Sequence, residues 1–433
     1  MLSRRVGVVG LGFISRQTLP YYKWNRCIAS KICTSSCNLK KCNIDPPSEL
    51  FQPMNVPHKL LTGPGPSNCP PRVLEASALP LLGHLHAEFI QIMDDIKAGI
   101  QYAFQTKNAL TLAISGTGHA GMEAAAVNIL QPGDVILVGV NGLWGQRLAS
   151  LAERIGADVR LLEKPAGQIF TPEEVAQAVK EHKPCAFFIT QGESSSGLHQ
   201  PIEGFGEVCH AHDCLLFVDT VASLGGLPMF ADDWGVDVIY TGSQKVLGCP
   251  PGTAPISFSQ KACEKLASRK TKVLSYYFDM NELGNYWGAD DQPRRYHHTG
   301  PISNFYTLRE GLAMLVEEQI YFLEAEEKKT KLALTKFGPH GTQIHFSSFL
   351  RTILFFVKSL RLPTVTAVEV PDGVNWKEVT DYIMKKYKIE ISGGLGETAG
   401  KIWRIGLMGY NCNEENVTRI VNALDDALTT LHK

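Results

Sequence analysis

The first 44 residues contain no aspartate or glutamate, yet they carry eight basic residues: Arg4, Arg5, Arg16, Lys23, Arg26, Lys31, Lys40 and Lys41. Beyond them, 34 basic residues face 43 acidic ones. A basic, Ser/Thr-containing, acid-free leader on a mildly acidic body predicts a mitochondrial transit peptide. The stretch from Val6 to Ile14 is poor in helix formers and could instead be a short secretory h-region, but no clear small-x-small cleavage site follows. No apolar run is long enough to span a bilayer, which excludes a membrane helix. The whole chain lacks any charge excess, at a formal −1, so no general attraction to nucleic acid or membrane is expected. The eleven cysteines are odd in number and mostly scattered, which favours reduced thiols in an intracellular protein. The C-terminus, Leu431-His432-Lys433, lacks a Ser-Lys-Leu-like peroxisomal signal. No internal repeat is present.

What is there is an ordinary globular composition, 433 residues with 44% hydrophobic and 20% charged, enough for two domains. Residues 46–62 read as an extended, Pro-rich arm. His86 to Thr106 has helical apolar spacing (Phe89, Ile90, Met93, Ile96, Ile100). From Leu110 onward short apolar runs at 110–115, 134–140, 157–162, 185–190, 214–219 and 236–241 alternate with helical patterns. That alternation predicts an α/β domain with a mainly parallel sheet and helices on both faces. A helical stretch near 303–335 leads into a smaller α+β domain. Its strands fall near 364–370 and 402–407, and its helices near 375–387 and 413–431. In the last helix Val417, Ile420, Val421, Leu424 and Leu428 make one face, with Asn411 or Asn413 as cap. The domains are therefore expected at 63–310 and 311–433, after a leader over 1–45.

Lys245 is the most informative residue. It follows a buried-strand pattern ending at Tyr240 and precedes a Gly/Pro-rich turn, so it sits where α/β enzymes place chemistry. Asp219 closes the preceding strand; a carboxylate there must be paired, as a helix cap, a structural acceptor or the partner of a pyridinium nitrogen. A lysine amine and a strand-end carboxylate are the two groups that pyridoxal phosphate demands of a protein. Ser115-Gly116-Thr117-Gly118-His119 is a Gly-rich strand-to-helix turn. It is either a tight turn or a phosphate cradle at a helix N-terminus. Trp144 follows another strand and is either a core aromatic or a ring stacked on a planar group. Ser194, in a Ser/Gly turn, could bond a phenolate-type oxygen. Arg404 lies within an apolar strand, where it either makes a salt bridge or grips a carboxylate. Arg294 to Thr299 is a basic cluster. Its His297-His298 pair has no nearby third ligand of suitable spacing, so no metal is expected. Gly10-Leu11-Gly12-Phe13-Ile14-Ser15 imitates a dinucleotide fingerprint. The third glycine is a serine, Pro20 interrupts any helix, and the ribose-binding acid is missing.

Taken in order, Leu61–Asn68, Ser115–His119, Asn141–Arg147, Gly192–Gly197, Val218–Ser223, Gly242–Lys245 and Arg404-Ile405-Gly406 resemble the class V aminotransferases, fold type I pyridoxal-phosphate enzymes. The resemblance runs from about Val56 to the C-terminus and is strengthened by Asp290–Pro293, Tyr296–Thr299 and Leu362–Val365. It implies that Lys245 holds pyridoxal phosphate covalently, that Asp219 pairs with its ring nitrogen, that Trp144 stacks on it and that Ser194 supports the ring oxygen. Thr117, Gly118, His119 and Gln244 would hold the phosphate. Tyr296 and Thr299 would reach the phosphate of a neighbouring subunit, making a homodimer with shared sites. Arg404, with Gly63, would bind the substrate carboxylate. The implied reaction moves an amino group from alanine or serine to glyoxylate or pyruvate. A 3-hydroxykynurenine transaminase of the same family is the alternative. A cysteine desulfurase is disfavoured because Gln244 stands where a histidine is typical. Residues 337–352 do not match the family pattern and leave the start of the smaller domain open.

Overall fold

The computed structural model describes residues 43–290, 292–318 and 358–431. Residues 1–42 of the leader with its Gly10–Ser15 pattern, the part of the 303–335 helical stretch beyond 318, and residues 337–352 lie outside the described residues. The chain divides into two units, Met1–Pro57 and His58–Lys433. Among the described residues of the first, a 3-10 turn spans Ser48–Phe51, and Ile44, Leu50, Phe51, Met54 and Val56 are exposed.

The second unit runs, in chain order, β1 Leu60–Leu61, α1 Pro71–Ser77, α2 Ala87–Phe104, β2 Leu110–Ser115, α3 Gly118–Ile129, β3 Val135–Val140, α4 Leu143–Ile155, β4 Asp158–Glu163 and α5 Pro172–His182. It continues with β5 Ala186–Thr190, β6 Gly192–Glu193, β7 Leu198–His199, α6 Phe205–His210, β8 Leu215–Asp219, β9 Val238–Tyr240, β10 Thr253–Phe258, α7 Gln260–Ala267, α8 Met280–Tyr286 and α9 Ile302–Glu317. Then come β11 Val365–Glu369, α10 Trp376–Tyr387, β12 Ile389–Glu390, β13 Ser392–Gly393, β14 Ile402–Gly406 and α11 Glu414–Leu431.

Seven strands form one sheet in the order β2-β10-β9-β8-β5-β3-β4. β9, β8, β5, β3 and β4 are parallel, and β10 is antiparallel to both its neighbours. The fold is the α/β class expected from the alternating pattern. β10 was not among the expected strands; it follows the Gly248–Gly252 turn and contains Pro255. Pro255 pairs with Ala113 on β2, and the β9 ladder begins only at Ile256. The proline thus stands one position beyond that ladder, where its missing N–H is tolerated.

A large apolar cluster joins this sheet to its helices, with Leu312 and Leu315 of α9 in it. A second cluster packs Val379 and Ile383 of α10 and Val417, Ile420, Leu424 and Leu428 of α11 onto Trp403 and Ile405 of β14. Each such side chain contributes about 1.5–3 kcal/mol by leaving water. Val421, expected on the same face, packs against the cluster half-buried. Of the two candidate caps for α11, Asn413 does the work: its Oδ1 accepts from Asn416 N at 2.9 Å. Asn411 instead ties the Leu61 carbonyl. α3, whose first turn faces the site, is anchored at its other end by buried Asn128. That side chain donates to Phe278 O at 2.6 Å and accepts from Met280 N at 2.9 Å.

Replacing Asn128 by alanine leaves those groups buried and unpaired. The expected loss is about 2–3 kcal/mol, seen as a fall in thermal midpoint of about 2–4 °C for a chain of this length. An unchanged midpoint would show that Asn128 does not anchor α3.

Candidate active site

β2, β3, β5, β8 and β9 all run in the same sense, so their C-terminal ends, and the turns that follow, lie along one edge of the sheet. Ligands bind at that edge in open parallel sheets. The register sets three polar side chains level: Thr190 pairs with Asp219, and Asp219 with Tyr240.

Lys245 is buried, only 9% exposed. Its Nζ donates to the Pro64 carbonyl. The backbone around it is pinned by Ser67, whose Oγ donates to Lys245 O at 2.9 Å and whose N–H donates to Gln244 O at 3.0 Å. Gly65 has φ +111°, and a Cβ there would meet the Lys245 side chain at 2.5 Å. The glycine therefore serves both the turn and the lysine's room. Burial, assisted by the positive charge of Arg404, pushes the Lys245 amine down to about 8.

Asp219 is shifted in the opposite direction. Burial pushes its carboxyl up to about 6. Its Oδ2 accepts from Tyr240 Oη at 2.6 Å and its Oδ1 from Val221 N at 2.8 Å. Thr190 Oγ1, on the neighbouring strand, is buried without a partner.

α3 starts at Gly118, so the Gly-rich turn ends inside the helix's first turn. The Thr117 side chain does not cap it, which leaves the first-turn N–H groups for an external acceptor. This turn touches the one before Lys245: a Cβ on Gly118 would lie 3.5 Å from Gly242 Cα. Gln244 Oε1 is buried there with no partner. Burial, with Arg147 nearby, lowers the His119 pKa, and its ring stands edge-on to Trp144 at 6.5 Å. Unpaired buried polar groups beside a helix N-terminus, a recessed lysine and a strand-end carboxylate fit a phosphorylated, aldehyde-bearing ring.

Trp144 donates from Nε1 to Ser194 Oγ at 2.9 Å. Arg404, on β14, reaches the same turn: Nη1 donates to Ser194 O at 3.0 Å and Nε to Gly393 O at 2.7 Å. Arg404 is only 6% exposed, and burial pushes its guanidinium down to about 10. Gly63 lies where β1 meets β12 and β13. A Cβ there would be 2.8 Å from Ser392 Oγ, and Ser392 pairs with Arg404.

Tyr296 and Thr299 are placed elsewhere. Tyr296 is half exposed and packs on His84 at 4.7 Å, with its hydroxyl 3.3 Å from Thr299 Oγ1. Neither has a described contact with Lys245, Gln244 or the Gly118 turn. Between them His298 bonds Ser115 Oγ at 2.7 Å, directly before the Gly-rich turn. Burial and the adjacent His297 push His298 down to about 4.

Tyr240 and Glu193 escaped notice in the sequence. Tyr240 had a usable signal, since it ends the strand beside the one that Asp219 ends. Glu193 had none, because the bond that links it to the site runs to Trp144 N (3.1 Å), 49 residues away.

Comparison with known proteins agrees with this geometry. Residues 61–419 match the family model described as aminotransferase class-V. The alanine–glyoxylate aminotransferase of Felis catus is 52% identical over 387 residues, covering 89% of this chain and 91% of that protein. Its Drosophila melanogaster counterpart is 46% identical over 392 residues, covering 89% and 96%. The crystal structure of an alanine–glyoxylate aminotransferase from Nostoc sp. superposes with a TM-score of 0.82 at 44% identity, covering 89% of this chain and 100% of that one. A chain that matches over this length, with a buried lysine and carboxylate at the sheet edge, belongs to the class V aminotransferase family and is an aminotransferase.

Proposed function

We propose that the protein transfers an amino group from alanine or serine to glyoxylate or pyruvate, with pyridoxal phosphate as cofactor. One observation carries this reading. Two buried basic groups supply it: the charge of Arg404 helps lower the Lys245 pKa, and neither residue is in an ion pair among those described. A buried amine of lowered pKa suits an aldehyde, and a buried guanidinium with no ion pair suits a substrate carboxylate. The curated relatives support glyoxylate as acceptor and alanine as donor over 3-hydroxykynurenine.

Bound here, pyridoxal phosphate would supply an electron sink for a carbanion at the substrate Cα. Lys245 would hold the cofactor through its amine and then, once released, move the proton at that Cα. Asp219, kept in place by Tyr240 and Val221, would pair with the ring nitrogen. Trp144 and Ser194 would hold the ring, and Thr117, Gly118, His119 and Gln244 the phosphate. Arg404 would orient the substrate through its carboxylate, with Gly63 leaving space. Tyr296 and Thr299, away from this chain's own site, would serve a second copy in a homodimer.

Lysine-to-arginine replacement at 245 keeps a cation and removes the nucleophile. Initial rates with alanine plus glyoxylate should fall at least about a thousandfold. The wild type should favour that pair, or serine plus pyruvate, over 3-hydroxykynurenine plus glyoxylate. A faster rate with 3-hydroxykynurenine would reverse the substrate assignment.

Only the neutral amine of Lys245 attacks an aldehyde. Its folded pKa lies below the ordinary lysine value, so capture of pyridoxal phosphate by cofactor-free protein should speed up as pH rises and level off above about 8. A midpoint near the ordinary value of 10.5 would contradict the desolvated lysine.

The acid-free residues 1–44 support import into mitochondria. A C-terminally tagged full chain should appear there by imaging. A diffuse or peroxisomal signal would refute the assignment.

A further inference from the structure

Glu193 is wholly buried and has no part in the roles assigned above. Its Oε1 accepts from Ser195 N at 2.9 Å and from Ser195 Oγ at 2.5 Å. Its Oε2 accepts from Trp144 N at 3.1 Å. The carboxylate thus binds two segments far apart in the chain, the 193–195 turn and the first turn of α4.

That helix needs it. α4 is preceded by Gly142, which has no side chain to cap the first turn. Glu193 supplies the acceptor from β6 instead. Space is the reason for glycine at 142: a Cβ there would lie 2.3 Å from Glu193 Cγ and Cδ. Two further bonds join the same segments, Leu143 N to Ser195 Oγ at 3.2 Å and Trp144 Nε1 to Ser194 Oγ. The turn so held is also the seat of Arg404, through Ser194 O, and of Thr398, whose Oγ1 donates to Ser195 O at 2.9 Å.

We propose that Glu193 is a positioning residue of this active site, a carboxylate clamp that sets the plane of Trp144, the place of Ser194 and the seat of Arg404 together. The proposal rests on the reading of Trp144 and Ser194 as cofactor contacts. It adds that their placement depends on one buried acceptor that touches neither cofactor nor substrate.

Glu193→Gln tests it. The shape is kept, but a glutamine that still accepts from Ser195 turns its NH₂ toward the Trp144 N–H, donor against donor. Pyridoxal phosphate is the probe, titrated into cofactor-free protein and followed by tryptophan quenching and by circular dichroism of the bound cofactor. The dissociation constant should rise about tenfold, the loss expected for one charged hydrogen bond. The dichroic band should shrink and KM for alanine should rise. Ser195→Ala, which removes only the hydroxyl from the clamp, should move the same readouts in the same direction by less. If Glu193→Gln lowers only the thermal midpoint, with dissociation constant, dichroism and KM as in wild type, the clamp is merely structural and the proposal falls. If Glu193→Gln does not fold, wild-type values in Ser195→Ala overturn it instead. A wild type that takes up no pyridoxal phosphate would remove the proposed function as well, which separates the two failures.

Discussion

Removing Lys245 from water is the constraint on which the site depends. A buried ammonium is unfavourable, so desolvation moves its proton affinity down toward neutrality. Arg404, also buried, pushes the same way. Asp219, buried on the adjacent strand end, is pushed up. The two groups approach each other in affinity without forming an ion pair with one another. The surrounding chain serves this arrangement. Pro64 offers a carbonyl, Gly65 gives up its side chain, Ser67 ties the backbone, and Tyr240 steadies the carboxylate.

The parallel sheet makes such crowding possible. Because side chains at paired positions stand level, ending β5, β8 and β9 at one height puts Thr190, Asp219 and Tyr240 in a row. The helix beginning at Gly118 then presents its N-terminal N–H groups on the same edge. The three-stranded sheet β11-β14-β13 adds one residue, Arg404, and rests it on a carbonyl of the 193–195 turn. That turn is held by Glu193, so two sheets and a helix start meet at a single buried carboxylate.

Much of the fold was legible. Apolar runs ended within one or two residues of the observed bounds for β2, β3, β5 and β8, because strands buried over most of their length leave nearly unbroken hydrophobic segments. The stripe on α11 was legible for the analogous reason, one face in and one out. β10 was not among the expected strands; it contains Pro255, whose harmlessness depends on where its neighbour's ladder stops. In the site, Lys245, Asp219 and the Gly-rich turn stood out because polar or flexible residues at strand ends contradict their surroundings.

By itself the sequence determined the alternation of elements, and with it the sheet and the residues gathered at its C-terminal edge. That information is local, carried by periodicity and by residues that break it. Only the tertiary structure decided which of them meet: Tyr240 with Asp219, Trp144 with Ser194, Arg404 with the same turn, and Glu193 beneath them all. Those pairings join residues between 20 and more than 200 positions apart, and their energies come from burial and from paired acceptors. Both depend on where the chain packs, which no short window of sequence records.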